Sequence, residues 1–161
     1  LSEEKGLARG IKALASVFKE HPDVLWYIAG EGNEREKIEA AIKSEDLEGR
    51  VILLGNQSNP YPYMKNADLY LSLSFHEAAP MVYMEAKALH IPVFSTETSS
   101  SKEMLKDGDE DFICENSEEG IQKRFSEIMN DREKIMVAKK KLEDYKGNND
   151  GSLQKIADWI S

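Results

Sequence analysis

The sequence is poor in the residues that build covalent and metal cross-links. Among its 161 residues there are one cysteine, Cys114, and three histidines. One cysteine excludes an intramolecular disulfide, and a reducing cytoplasm is the expected compartment. No Cys or His cluster has the spacing of metal ligands, so no metal site is predicted. No apolar run approaches the roughly 20 residues of a membrane-spanning helix.

Basic residues are also scarce. Lys and Arg number 21 against 30 Asp and Glu, which gives a net charge of −9. Nucleic acid selects basic surfaces, so this balance argues against it as a partner. A small nucleotide stays compatible, because a local cluster of donors binds phosphate within an acidic protein. The acidic surface offers no basic patch for anionic lipid, so peripheral attachment to the inner face of a membrane would need other parts of a longer protein.

Apolar strands alternate with helical segments along the chain, and the length favours a single core. Strands are predicted over 24–29, 51–54, 69–73, 92–95 and 112–114. Helices are predicted over 3–19, 33–44 with Asn33 and Glu36 as a capping pair, 63–66, 80–89, 101–105, 118–129, 132–145 and 152–160. This order predicts an α/β fold, a Rossmann-like and mostly parallel sheet with helices on both faces.

The segment 74–86, SFHEAAPMVYMEA, is the most informative part of the chain. It follows a predicted strand and places Glu77 and Glu85 eight positions apart, with Pro80 between them. Two glutamates alone are more often a loop acid and a solvated helix residue. The strand before them and the proline between them favour a site, because open α/β sheets bind ligands at the carboxyl ends of their strands.

The local geometry predicts an anion site between the two carboxylates. Pro80 suits the first helical position, because its missing N–H has no intrahelical partner there. The free N–H groups near Ala79, Met81 and Val82 would then face the crevice, where they attract phosphate. A carboxylate on either side would accept hydrogen bonds from sugar hydroxyls.

This arrangement resembles the E-x7-E signature of retaining glycosyltransferases with the GT-B fold, the "glycosyl transferases group one" or family-four type of bacterial polysaccharide biosynthesis. The resemblance covers most of the chain through the order and spacing of several further segments. These segments are Lys5-Gly6, 28–32 (IAGEG), 51–55 (VILLG), 64–68 (MKNAD), 91–96 (IPVFST) and 99–103 (SSSKE).

The resemblance implies one half of a GT-B fold, a single nucleotide-sugar-binding domain over 1–161 in which 146–161 form a linker and a C-terminal helix. An N-terminal acceptor domain, and a strand ending in Gly-Arg just ahead of residue 1, would belong to a longer protein. The implied donor is a UDP- or GDP-sugar, with no other cofactor, and the acceptor a glycan or lipid-linked glycan. The resemblance also implies the contacts to this donor. Glu77 would bind the sugar, Glu85 the ribose, and Asn56 and Gln57 the base. The sugar and the diphosphate would face the backbone of Ala78, Ala79, Met81 and Val82, and the phosphates would also meet Lys5, Gly30 and Gly32.

Two departures from the family keep other functions open. Ala78-Ala79 replaces the usual Gly-Phe or Gly-Leu, and Ser99-Ser100 replaces Gly-Gly. There are also plain structural alternatives for two of the candidate contacts. Lys5 would be a solvated lysine, and Gly30-x-Gly32 would only form a tight turn. At the level of function, the alternatives are another GT-B enzyme, a sugar-nucleotide epimerase or phosphorylase, and a non-catalytic α/β interaction domain. His76 would be placed to touch the sugar, although a single histidine more often makes a structural hydrogen bond. Tyr61 and Tyr63 would be placed to stack on a base, with packing across the sheet edge as the plainer alternative.

Overall fold

The computed structural model describes residues 1–105, 110–144, 156 and 158, and it has the predicted α/β architecture. The strands are β1 (Trp26–Ala29), β2 (Val51–Gly55), β3 (Tyr70–Ser72), β4 (Val93–Thr96) and β5 (Ile113–Cys114). The helices are α1 (Leu7–Glu20), α2 (Arg35–Ser44), α3 (Tyr61–Lys65), α4 (Met81–Ala88), α5 (Ser101–Met104), α6 (Glu118–Asn130) and α7 (Glu133–Leu142). Short 3₁₀ turns cover Glu3–Lys5 and Glu110–Phe112. All five predicted strands are therefore confirmed.

The strands pair in parallel but form two sheets, β1-β2 and β3-β4-β5. Trp26 lies opposite Val51 in the first sheet, and Tyr70 lies opposite Val93 in the second. A cavity of about 1130 Å³ is lined by both β1 and β3. The sheet predicted as one is therefore divided at this cavity in the part of the chain that the structure describes.

Two apolar clusters cover opposite faces of β4. Phe94 packs edge-on against Phe125 of α6, in the cluster that also holds α1 and α2. Its neighbour Val93 belongs to a second cluster with Tyr83 and Ala86 of α4. Because successive strand residues point to opposite faces, helices lie on both sides of this sheet, as predicted.

Three predicted helix starts are corrected. The first helix begins at Leu7 rather than residue 3, because Gly6 adopts a left-handed φ of +62° that interrupts the turn. The capping pair of Asn33 and Glu36 is wrong, since α2 begins at Arg35 without a side-chain cap. Pro80 is the extended residue just before α4 rather than its first helical residue.

The predicted linker at 146–151 lies outside the described residues, as do most of 152–160. Within that last segment Ile156 and Asp158 are helical, and Ile156 is buried. None of the helices in the described ranges is long and apolar enough to cross a bilayer.

Candidate functional site

Residues 1–6 lie across the carboxyl ends of β1 and β3 and bring the site together. The amino group of Leu1 donates to the carbonyl of Glu31, just after β1. On the β3 side, the Phe75 N–H donates to the carbonyl of Glu4 at 2.9 Å. The segment therefore holds Lys5 over the loop between β3 and α4.

Glu77 lies in that loop with a cation and a hydroxyl against its carboxylate. Its Oε1 accepts a hydrogen bond from Ser74 Oγ at 2.8 Å and forms an ion pair with Lys5 Nζ. The Glu77 side chain is only 13% exposed, whereas that of Lys5 is 53% exposed. Lys5 is therefore accessible to a ligand from solvent, while Glu77 is largely shielded.

Glu85 lies on α4 and contacts the preceding helix α3. The Tyr61 hydroxyl donates to Glu85 Oε1 at 3.1 Å. Burial raises the pKa of Tyr61, and the neighbouring Glu85 carboxylate raises it further. The phenol therefore keeps its proton at neutral pH and remains a donor to Glu85.

The amino end of α4 is open between the two glutamates. Pro80 is extended, and the first turn closes through a hydrogen bond from the Tyr83 N–H to the Pro80 carbonyl, 3.1 Å long. No described residue accepts a hydrogen bond from the N–H of Met81 or Val82. Unpaired donors at a helix start attract phosphate.

A buried hydroxyl network fixes α4 against the strand ends. The Tyr83 hydroxyl donates to Ser72 Oγ at 2.9 Å and lies 2.8 Å from Ser95 Oγ. Thr96 Oγ1 donates to the Ser74 carbonyl at 2.6 Å. The start of α4 and the Glu77 loop are therefore tied to the same two strands.

The loops that follow β4 and β5 support the Glu77 loop from the other side. The hydroxyls of Ser99 and Ser100 donate to the Glu77 carbonyl at 3.3 and 2.8 Å. Asn116 Nδ2 donates to the carbonyls of Phe75 and Glu97 at 3.0 and 3.2 Å. Sequence reasoning missed Asn116, because an asparagine after a short strand carries no pattern of its own.

The structure brings most of the predicted site residues together. Lys5, Glu77, Ala78, Ala79, Met81, Val82 and Glu85 surround the start of α4. The cavity between β1 and β3 reaches this place, since Lys5, Ser74 and Glu85 line it as well. The site and the cavity are therefore continuous.

The remaining predicted residues follow β1 and β2. Gly30 has a φ of +122°, and a Cβ on Gly32 would lie 2.2 Å from the Leu1 carbonyl oxygen, so Gly32 makes room for the main chain of Leu1. The Gln57 side chain donates to the Leu54 carbonyl at 2.7 Å, whereas Asn56 is exposed. No group of acidic, Cys or His side chains in the described ranges is arranged to hold a metal ion.

A model of the family "Glycosyl transferases group 1" matches residues 1–146. The chain belongs to this family. A relative from the family, an uncharacterized glycosyltransferase of Methanocaldococcus jannaschii, is 30% identical over 114 residues, which are 71% of this chain and 26% of that protein. The chain therefore corresponds to a minor part of this relative.

Solved structures of glycosyltransferases share the fold. WaaG, a glycosyltransferase involved in lipopolysaccharide biosynthesis, superposes with a TM-score of 0.80 at 23% identity, over 98% of this chain and 44% of its own. HepE of Anabaena in complex with UDP-glucose gives a TM-score of 0.79 at 22% identity, over 99% of this chain and 46% of its own. The predicted fold, one half of a GT-B fold, is thus confirmed for this chain.

Proposed function

We propose that this chain is the donor-binding domain of a glycosyltransferase that moves a sugar from a nucleotide-sugar to a glycan or lipid-linked glycan with retention. The observation that carries the proposal is the placement of Glu77 and Glu85 on either side of the open amino end of α4. Lys5 lies beside Glu77 as the exposed cation of the site. A UDP-glucose complex of HepE, a structural neighbour, supports a nucleotide-sugar ligand.

Each group has a distinct role in the proposed complex. The Glu85 carboxylate accepts hydrogen bonds from the ribose hydroxyls, and Glu77 accepts them from the donor sugar. The backbone around Ala78 and Ala79 lies against the sugar, while the N–H groups of Met81 and Val82 meet the diphosphate.

The chemical task of the site is to stabilise the departing diphosphate. The bond between the anomeric carbon and the diphosphate oxygen breaks, the acceptor oxygen bonds the same carbon from the same face, and the acceptor proton passes to the departing diphosphate oxygen. Negative charge builds on the diphosphate, and donors fixed before the reaction stabilise it most effectively. The Met81 and Val82 amides meet this need, and Lys5 adds a positive charge when it exchanges the Glu77 carboxylate for phosphate.

The acceptor site is assigned to the rest of the longer protein, and residues 1–161 are proposed as one domain. Nucleotide-sugars would reach this domain in the cytoplasm, where Cys114 stays reduced. Any attachment to the inner face of a membrane would pass through the rest of the protein.

Transfer assays on the longer protein test this function. UDP-glucose and GDP-mannose are offered with a glycan or lipid-linked acceptor, and the anomeric configuration of the product is read by NMR. We expect retention, a loss of turnover in Glu77→Gln and Glu85→Gln, and no turnover by residues 1–161 alone. Hydrolysis or rearrangement of the donor without an acceptor would instead indicate an epimerase, and inversion would contradict the assignment.

A further inference from the structure

Asn116 joins two loops that lie far apart in sequence. Its Nδ2 group donates to the carbonyls of Ser74 and Phe75, at 3.4 and 3.0 Å, and to that of Glu97, at 3.2 Å. The first two carbonyls begin the loop that carries Glu77, and the third follows β4. One side-chain amide therefore fixes the start of the Glu77 loop to the neighbouring strand end.

The carbonyl oxygen of the Asn116 side chain, by contrast, makes no hydrogen bond to the described residues. Its Oδ1 atom is buried and has no hydrogen-bond partner among the described residues. A buried acceptor without a partner costs stability, and such an atom in a folded protein calls for an explanation. The geometry offers an explanation. The Nδ2 group is oriented to donate hydrogen bonds to the carbonyls of the Glu77 loop, and this orientation leaves Oδ1 without a donor.

Two further contacts anchor the main chain of this region, one at Leu73 and one at Glu77. Arg9 Nη2 donates to the Leu73 carbonyl at 2.8 Å, and its guanidinium lies 3.8 Å from the centre of the Phe75 ring. Beyond Phe75, the hydroxyl of Ser100 donates to the carbonyl of Glu77. Asn116 acts between these two anchors, on the carbonyls of Ser74 and Phe75.

We propose that Asn116 is a positioning residue that holds the Glu77 carboxylate ready for the sugar of the donor. This inference rests on the proposed function, in which Glu77 meets the sugar and Glu85 meets the ribose. Without Asn116 the loop would have to be ordered when the donor binds, and that cost lowers affinity. Only the binding of the sugar should be weakened, because Glu85, which meets the ribose, is held separately by Tyr61.

The test compares two probes on the full-length protein by calorimetry. UDP carries the ribose and diphosphate, and UDP-glucose adds the sugar; GDP and GDP-mannose form the second pair. We expect Asn116→Ala to weaken the nucleotide-sugar by about tenfold and to leave the nucleoside diphosphate within about twofold. Asn130→Ala, whose Nδ2 reaches Ser126 Oγ at 3.5 Å on α6, is the matched control.

A double-mutant cycle separates positioning from a general structural role. In a Glu77→Gln background, Asn116→Ala should cost little further affinity for the nucleotide-sugar, because the group that it positions is already lost. An equal loss in both backgrounds, or an equal loss for UDP and UDP-glucose, would overturn the proposal.

A ligand-free measurement keeps this inference distinct from the proposed function. If no nucleotide binds, the proposed function fails, and the methyl resonances of Ala78 and Ala79 still report the position of the loop. We expect Asn116→Ala to shift both while leaving the methyl of Ala41 in α2 in place. Unmoved Ala78 and Ala79 resonances in a folded Asn116→Ala protein would refute the positioning role.

Discussion

The two glutamates of the site differ in how their charge is balanced. Glu77 meets a lysine and a serine hydroxyl, whereas Glu85 meets the Tyr61 phenol. In the proposed complex Lys5 leaves Glu77 and pairs with the diphosphate. Glu85 keeps its hydrogen bond from Tyr61 while it binds the ribose. Substitutions at the partners should therefore act on different parts of the ligand.

Tyr61→Phe tests the support of Glu85. It removes the 3.1 Å hydrogen bond to Glu85 without changing the ring. The phenol orders the Glu85 carboxylate before the ribose binds. Because ordering a side chain on binding costs about 0.5–1.5 kcal/mol, we expect the affinity for a nucleoside diphosphate to fall by about two- to tenfold. Calorimetry measures this, with Tyr63→Phe as the control because Tyr63 is exposed on the same helix. Equal affinities of wild type and Tyr61→Phe would show that the phenol does not position Glu85.

Cys114 predicts a dependence of stability on alkaline pH. Burial raises the pKa of its thiol to about 12. The unfolded thiol ionises near its ordinary pKa of about 8.5, so between these values the native state binds more protons. The free energy of unfolding should therefore fall as pH rises above about 9, by up to about 1.4 kcal/mol per unit from this group.

Urea denaturation between about pH 8 and about pH 10.5 checks this prediction. Cys114→Ala should be less stable at neutral pH but should show a shallower decline with pH, because it removes the group that titrates. If wild type and variant decline with the same slope, the thiol does not cause the dependence.

The sequence predicts candidate site residues from local patterns, and it misses contacts between residues that lie far apart along the chain. Glu77 and Glu85 are predicted as candidates because their spacing and Pro80 lie within one strand–loop–helix unit. Asn116 reaches Phe75 across 41 positions, and Tyr61 reaches Glu85 across 24. Only the packing of separate loops brings such pairs together, so a single sequence carries no signal for them.

At the scale of elements, Gly6 decides where the first helix begins. The sequence predicts a helix from residue 3, yet α1 starts at Leu7. Gly6 has a φ of +62°, and a Cβ there would lie 2.2 Å from the Leu73 carbonyl oxygen. The glycine thus allows residues 1–6 to cross the end of β3 and place Lys5 over Glu77.

Gly6→Ala should destabilise the protein more than Gly49→Ala. Both glycines have positive φ, but a Cβ on Gly49 meets no atom within 4 Å. Gly49→Ala therefore carries only the backbone cost of about 1 kcal/mol, and Gly6→Ala adds about 2 kcal/mol for the clash. Chemical denaturation of both variants measures the difference, and equal losses would contradict the close contact with Leu73.

The helix starts show why element boundaries resist sequence reasoning. Asn33 and Glu36 have the residue types of a capping pair, but α2 begins at Arg35 after Glu34. The Glu34 N–H instead donates to the Leu1 carbonyl at 3.2 Å. A contact with the distant start of the chain thus competes with a local preference, and the tertiary contact prevails.

At the scale of the whole molecule, the division into two sheets is the feature that the sequence did not predict. Trp26 N–H donates to the Arg50 carbonyl just before β2, and Tyr70 N–H donates to the Pro92 carbonyl just before β4. Because donors alternate along a strand, the N–H groups of Tyr27 and Leu71 point the other way, toward the cavity. Composition and periodicity specify five strands but not which edges stay unpaired.

We propose, from the resemblance to the family, that a strand leading into Leu1 fills this cavity in the longer protein. Inserted parallel to β1 and β3, it would pair with both and join the two sheets. The amide hydrogens of Tyr27 and Leu71 should then exchange about 100-fold more slowly in the longer protein than in residues 1–161 alone. Amides that exchange at the same rate in both chains would rule out a strand in this place.

The central claim is that the carboxyl edge of β3 and the start of α4 bind a nucleotide-sugar. The most direct test is saturation-transfer NMR with UDP, GDP and ADP, each with and without a sugar, on wild type, Glu85→Ala and the control Glu36→Ala. Glu36 is exposed on α2. We expect one nucleotide to bind with saturation at its ribose protons, Glu85→Ala to weaken that binding and Glu36→Ala to leave it unchanged. Binding that ignores Glu85→Ala, or no binding by the full-length protein at millimolar concentration, would contradict it.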